Sequence, residues 1–187
     1  MSGILLNGPA IEPVSLAEAK AFLRVEHDDD DDVIAAVIAG ARIYVEAQTR
    51  RALITQSWRL TRDAWPQTGR IAVRPAPVQA LDAARVHDGG AEPIELDVEG
   101  FFVDAAGSDL VFAPWAMPQP GRAAGIELNV TLGYGDAATD VPEPLRQAIR
   151  LLVGHWYENR GLVSPGAAPL LPMTVPALLS PYRMVSL

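Results

Sequence analysis

Asp31-Asp32-Val33-Ile34-Ala35-Ala36-Val37-Ile38-Ala39-Gly40-Ala41-Arg42-Ile43-Tyr44-Val45-Glu46-Ala47-Gln48-Thr49 decides how the first third of the chain folds. Most of Val33, Ile34, Val37, Ile38, Ala41, Val45 and Ala47 fall on one side of a 3.6-residue period, with Arg42 and Tyr44 near its edges. The spacing predicts a helix over 31–49. The run Asp28 to Asp32 marks its start, because the free N–H groups and dipole of a helix N-terminus favour negative charge. Arg50 and Arg51 stand at the far end, where cations are favoured.

Upstream, Ser15-Leu16-Ala17-Glu18 is a capping box: the Ser15 hydroxyl accepts from the Glu18 N–H and the Glu18 carboxylate accepts from that of Ser15. A helix over 15–24 follows, with Leu16, Ala19 and Leu23 on one face. Downstream, from 55 to 135, the period changes to two. Gln56 to Arg62, Ile71 to Arg74, Ala84 to His87, Phe101 to Asp104, Asp109 to Phe112 and Gly125 to Leu132 read as short strands. Asp88-Gly89-Gly90 is a turn signal that opens a hairpin. The helical period returns after Pro142 and Pro144, which are tolerated in a first turn. Leu145, Ile149, Leu152, Val153 and Trp156 then form an apolar stripe, stopped near Asn159-Arg160-Gly161.

The expected class is α+β: a helical bundle of three main helices, a small inserted antiparallel β subdomain and an extended C-terminal tail. The expected organisation is 1–54 as the first part of the bundle and 55–135 as the β-rich insertion. The last long helix spans 136–161 and a docking tail 162–187. That tail holds five prolines among many aliphatic residues. Too apolar for an ordinary linker, it either wraps its own bundle or docks on a neighbour. Only Val175 to Leu179 has room for a further helical turn or two.

The chain has 187 residues and no cysteine, which removes disulfide frameworks, thiolate nucleophiles and cysteine metal sites, and fits a reducing cytoplasm. No apolar stretch reaches the length of a membrane span, and the first residues lack a signal-peptide pattern. A net charge of −8 opposes a surface that grips phosphates.

The search for catalytic chemistry returns little. His27, His87 and His155 are isolated from one another, and His155 beside Trp156 and Tyr157 reads as a helix-face histidine packed against aromatics. A site assembled from His155, Glu158 and Asp104 would need a pocket with convergent polar groups. No nucleophile elbow, P-loop or zinc-protease motif occurs. Gly133-Tyr134-Gly135 lies too far before the next helix to hold a phosphate and reads as a turn. The run Asp28, Asp29, Asp30, Asp31 and Asp32 lacks the alternate spacing and glycine of a calcium loop. No enzyme activity, cofactor or metal is expected.

Several segments together carry a family likeness. Glu12 to Lys20, Leu23 to Val25, the acidic step into Ile34 to Ala39, Ala41 to Glu46 and Thr49 to Trp58 resemble the start of phage head–tail connector proteins. Val141 to Ile149, His155 to Arg160 and Val175 to Arg183 resemble their ending. The resemblance implies an adaptor that forms a ring, usually twelvefold, beneath the portal of a long-tailed phage or gene transfer agent. Its partners would be the portal protein, neighbouring copies of itself and the next neck protein on the stopper or tail-terminator side. DNA would pass through without sequence-specific binding, and assembly would take place in the bacterial cytoplasm. Candidate interface residues are Trp156 and Tyr157 on the last helix and Leu178, Leu179, Tyr182 and Arg183 in the tail. Repeated around a ring, Asp28 to Asp32 would line the channel. The alternative is a monomeric or dimeric binding module that forms no ring.

Overall fold

The computed structural model describes residues 2–104, 107–159 and 173–184, and the chain divides into two units. One comprises residues 1–10 and 55–134, the other 11–54 and 135–187. Both helices and antiparallel sheets are present, so the class is α+β.

The helical unit contains α1 (Leu16–Leu23), α2 (Asp31–Thr49), α3 (Glu143–Glu158) and a short α4 (Thr174–Leu179). Ser15 caps α1 as its sequence requires: Oγ accepts from the Glu18 N–H at 3.2 Å, and Glu18 Oε2 accepts from the Ser15 N–H at 2.8 Å. α2 buries Ile34, Ile38, Ala41, Val45 and Thr49, while Val33 and Ala47 turn to the exposed side. The stripe is therefore narrower than the list of apolar residues implied, because position 33 is one residue short of 34 and position 47 falls midway between 45 and 49, both off the buried 34–38–41–45–49 line. α3 buries Leu145, Ala148, Ile149, Leu152 and Val153, and packs against α1, α2 and α4. Val175 and Leu179 of α4 complete this core. A fourth helix thus joins the three expected ones. α3 ends at Glu158 with Asn159 as its C-cap, at the start of the stop expected over Asn159-Arg160-Gly161; residues 160 and 161 and the tail residues 162–172 lie outside the described residues, as do 185–187.

The β unit holds a five-stranded antiparallel sheet in the order β1-β2-β8-β4-β5 and a three-stranded one in the order β3-β7-β6. The strands are β1 (Ser2–Asn7), β2 (Gln56–Arg62), β3 (Arg70–Ala72), β4 (Val78–Val86), β5 (Ile94–Leu96), β6 (Phe101–Val103), β7 (Asp109–Phe112) and β8 (Ile126–Leu132). β8 is the central strand: Ile126, Leu128, Val130 and Leu132 are fully buried, and Glu127, Asn129 and Thr131 face the other way. Register sets Leu60 opposite Leu128 and Leu128 opposite Ala84, so one face carries continuous apolar rows. Trp65, Phe101 and Phe112 cluster beside the small sheet, with ring centroids 5.1–6.1 Å apart.

Two features depart from expectation. The first ten residues belong with the β unit rather than the helices, because β1 pairs along β2 from Ser2 opposite Thr61 to Asn7 opposite Ser57. β4 starts at Val78, well before Ala84, and its register shifts between Val78 and Ala80 and between Leu81 and Ala83. Those bulges break the alternation that a period-two reading depends on. No helix among the described residues is long and apolar enough to cross a membrane.

Candidate functional site

The aspartate run is a set of separately engaged groups. Lys20 of α1 donates to Asp28 Oδ1 and Asp31 Oδ1, both at 2.6 Å, clamping the loop between the first two helices. These two hydrogen bonds hold the Lys20 ammonium above its usual range, and the same contact holds the Asp28 carboxyl below its own. Asp30 is the α2 N-cap residue but makes no side-chain cap hydrogen bond; its Oδ2 accepts instead from the Tyr157 hydroxyl at 2.5 Å. Asp29 projects almost fully into solvent, 3.8 Å from His27 Nδ1, and Asp32 is exposed. The run therefore joins the start of α2 to α1 and to the end of α3, leaving an acidic rim outward.

That link brings together two sets of residues that sequence spacing could not relate: the aspartates and the aromatic end of α3. Trp156, one residue before Tyr157, packs edge-on against Tyr44 of α2 with centroids 5.9 Å apart. Gly40 faces the same indole; a Cβ there would stand 3.8 Å from it. Trp156 and Tyr157 are half-buried within their own unit.

The described part of the tail is likewise bound to its own helices. Arg51 Nε donates to the Tyr182 carbonyl at 2.8 Å, the Met184 N–H donates to the Thr49 carbonyl at 3.2 Å, and Arg183 Nη2 donates to Gln48 Oε1 at 3.3 Å. Of the tail residues singled out from sequence, Leu179 is 1% exposed, Leu178 and Tyr182 are half-buried and Arg183 is exposed. Leu179 thus serves the core of its own unit. Met173, at 81% exposure, is the large apolar side chain this segment offers outward.

Two arginines that were not singled out as site residues organise the entry to this unit. Arg42 Nε donates to Glu12 Oε2 and its Nη1 to Glu46 Oε2, both at 2.8 Å, while Glu46 Oε1 accepts from the Leu53 N–H. Burial opposes the charge on Arg42, but the two carboxylates outweigh it and raise the guanidinium above its usual range. Arg146 of α3 donates to the Pro13 carbonyl at 2.9 Å and to Glu18 Oε1 at 2.6 Å. The i,i+4 spacing of Arg42 and Glu46 was the one visible signal.

The histidines stay apart. His155 Nδ1 lies 3.4 Å from Asn159 Nδ2 on the next turn of its helix, and His87 Nε2 lies 3.1 Å from Glu127 Oε1 in the β unit. Asp104 Oδ1 accepts from the Ser108 and Asp109 N–H groups, building the turn about Gly107. Among the described residues no three His, Asp or Glu side chains come together as a metal site. Gly133 has a φ of +128° within a bend, and Gly135 forms an isolated parallel bridge with Ile54 beside the Asp140 side chain.

The chain has counterparts among known proteins. A family model of phage gp6-like head-tail connector proteins matches residues 13–87, from the lead into α1 to the end of β4. Segment 13–87 carries the head–tail connector pattern. Likeness to chains of solved particles extends over nearly the whole chain in three dimensions. A chain in the neck of an empty gene transfer agent particle, computed with C6 symmetry, superposes with a TM-score of 0.83 at 26% identity. That match covers 100% of this chain and 97% of the other. A chain from the virion of the native particle gives 0.79 at 27% identity, again over 100% and 97%. One from the native neck computed with C12 symmetry gives 0.69 at 27%, over 98% and 97%. No curated protein matches the sequence.

Proposed function

We propose that this connector-like chain is a structural adaptor of a phage or gene transfer agent neck, forming a ring under the portal. The observation that carries the reading is the end-to-end match to chains of particle necks, joined to the separate family match over 13–87. The ring continues the DNA channel from the portal and presents the next neck protein with a landing surface.

Physical chemistry supports the same reading. A cyclic assembly uses two different surfaces on each copy, and the chain exposes apolar side chains in both units, among them Ile4, Leu5 and Ile43. An acidic rim at Asp28, Asp29 and Asp32, repeated around the ring, faces the channel and lets DNA slide past without phosphate contacts. Arg183 and Met173 offer the tail's contact to the portal, with Trp156 and Tyr157 holding the end of α3 beneath.

The test is the mass of the chain alone and with its portal, by native mass spectrometry. A portal-dependent step from single copies to a closed multiple supports the adaptor. A single copy or a dimer that ignores the portal supports the isolated binding module instead.

A further inference from the structure

The chain has three asparagines, and the fold treats them differently. Asn129 lies inside the central strand β8, precedes Val130, and its Oδ1 accepts from Arg59 Nε at 3.1 Å. Asn159 caps the end of α3, precedes Arg160, and its Nδ2 donates to the His155 carbonyl at 2.8 Å. Asn7 closes β1 and precedes Gly8, and both residues are exposed. Among the described residues the Asn7 carboxamide has no hydrogen-bond partner and the Gly8 N–H has no acceptor. The space beside the pair is open too: a Cβ built on Gly8 would meet only the Leu5 side chain, at 3.9 Å. The register of β1 against β2 is already broken between Leu5 and Asn7.

The carbon of an asparagine carboxamide is electrophilic, and the backbone nitrogen of the next residue can close a five-membered ring on it. Folded proteins oppose this in three ways. The next side chain crowds the attack, a stiff backbone holds the nitrogen away, and hydrogen bonds fix the carboxamide. Glycine removes the first obstacle and, through its wide φ/ψ range, eases the second. The unpartnered, exposed carboxamide of Asn7 removes the third. At Asn129 all three remain, with the β-branched Val130 following in a paired strand. Asp88-Gly89 is the other pair of related type, but Asp88 Oδ1 accepts from the Gly90 N–H at 2.8 Å, and a carboxylate is a poor electrophile.

We infer that Asn7 is a site of spontaneous modification, at which the Gly8 nitrogen attacks Asn7 Cγ. The N–Cγ bond forms and the Cγ–Nδ2 bond breaks. Ammonia leaves with the proton that the Gly8 nitrogen gives up. One water then opens the succinimide at either carbonyl, giving aspartate or isoaspartate. Either product places a carboxylate at the end of a strand, Ser2–Asn7, that has no charged side chain. Isoaspartate also lengthens the main chain by a carbon where Asn7 stands opposite Ser57. Among the described residues β1 is joined to the sheet through β2 alone, so the change loosens the end of an edge strand.

The test follows the folded, full-length protein in mildly alkaline buffer, which favours the deprotonated nitrogen, by tryptic peptide mapping against a zero-time digest. Cleavage at Lys20, Arg122, Arg146, Arg150 and Arg160 puts each asparagine in its own peptide, 1–20, 123–146 or 151–160, none of which contains glutamine. The expected result is replacement of –NH2 by –OH in peptide 1–20, placed at Asn7 by fragment ions, with the product split into two chromatographic forms. The other two peptides stay unchanged over the same time. Gly8→Ala, which the open space accommodates, is expected to fold as judged by circular dichroism and to slow the loss severalfold. An Asn7 amide that persists in the wild-type protein overturns the inference. So does loss at Asn129 or Asn159 as fast as at Asn7, or a folded Gly8→Ala protein that reacts at the wild-type rate.

Discussion

The Tyr157 hydroxyl donates to Asp30 Oδ2 at 2.5 Å, tying the last turn of α3 to the first residue before α2 across 127 positions of sequence. With Lys20 holding Asp28 and Asp31, this contact makes the aspartate run the junction of three helices. A hydrogen bond to an ionised acceptor is worth more than a neutral one, and its loss leaves a partly buried carboxylate short of a donor.

Tyr157→Phe is expected to lower the stability of the chain by about 1–2 kcal/mol. Asp30→Ala combined with it should cost less than the sum of the two single changes, since one interaction is removed twice. Urea unfolding of the four proteins measures this, and strict additivity would show that the contact contributes nothing.

The acid limb of stability should steepen through Asp28 and Glu18. Hydrogen bonding by Lys20 holds Asp28 low, and the Ser15 N–H, with help from Arg146, holds Glu18 low. A lowered carboxyl stabilises above its unfolded pKa and loses that contribution as pH falls through the folded value, so the loss sets in below about pH 4. Lys20 is raised, so its contribution persists through neutral pH and fades only above about pH 10. Melting temperature against pH for the wild type and Lys20→Met should differ most in slope below pH 4; parallel curves would contradict the clamp.

Leu179→Ala should destabilise by about 2–4 kcal/mol, because the side chain is buried against the helical core and leaves a cavity. Arg183→Ala, on an exposed side chain, should stay within about 0.5 kcal/mol. Thermal unfolding separates the two, and an unchanged Leu179→Ala would mean that α4 is not part of that core. Arg183→Ala is consequently the better probe of the proposed portal contact, since it leaves the fold intact.

Gly69→Ala should destabilise the β unit. Gly69 has a φ of +67°, and a Cβ there would stand 2.6 Å from the Phe112 carbonyl oxygen. The same carbonyl belongs to the aromatic cluster of Trp65, Phe101 and Phe112, so near-ultraviolet circular dichroism should report the loss. A spectrum identical to wild type would contradict the close packing at this turn.

Local chemistry explains which parts were legible in the sequence. The capping box at Ser15 and Glu18, the period of α2 and the alternation of β8 each depend on neighbours within a few residues. β1 was not legible, because a strand exposed along its whole length has no buried face to impose a period of two. β4 hid behind its bulges and alanines, and β5 behind its three-residue length. The site divided in the same way. The aspartates and the aromatic end of α3 stood out by type, but their union through Asp30 and Tyr157 is tertiary, as are the roles of Arg42 and Arg146. The likeness to connector proteins was read at both ends; the family match runs over 13–87, taking in the first end and the start of the middle but not the last helix or the tail.

The central claim is that copies of this chain close into a ring on a portal. Electron microscopy of the purified protein mixed with its portal, with each component imaged alone, tests it most directly. The account predicts rings of density capping the portal in the mixture. Bare portals beside unassembled small particles, at concentrations where both components are folded, would contradict it.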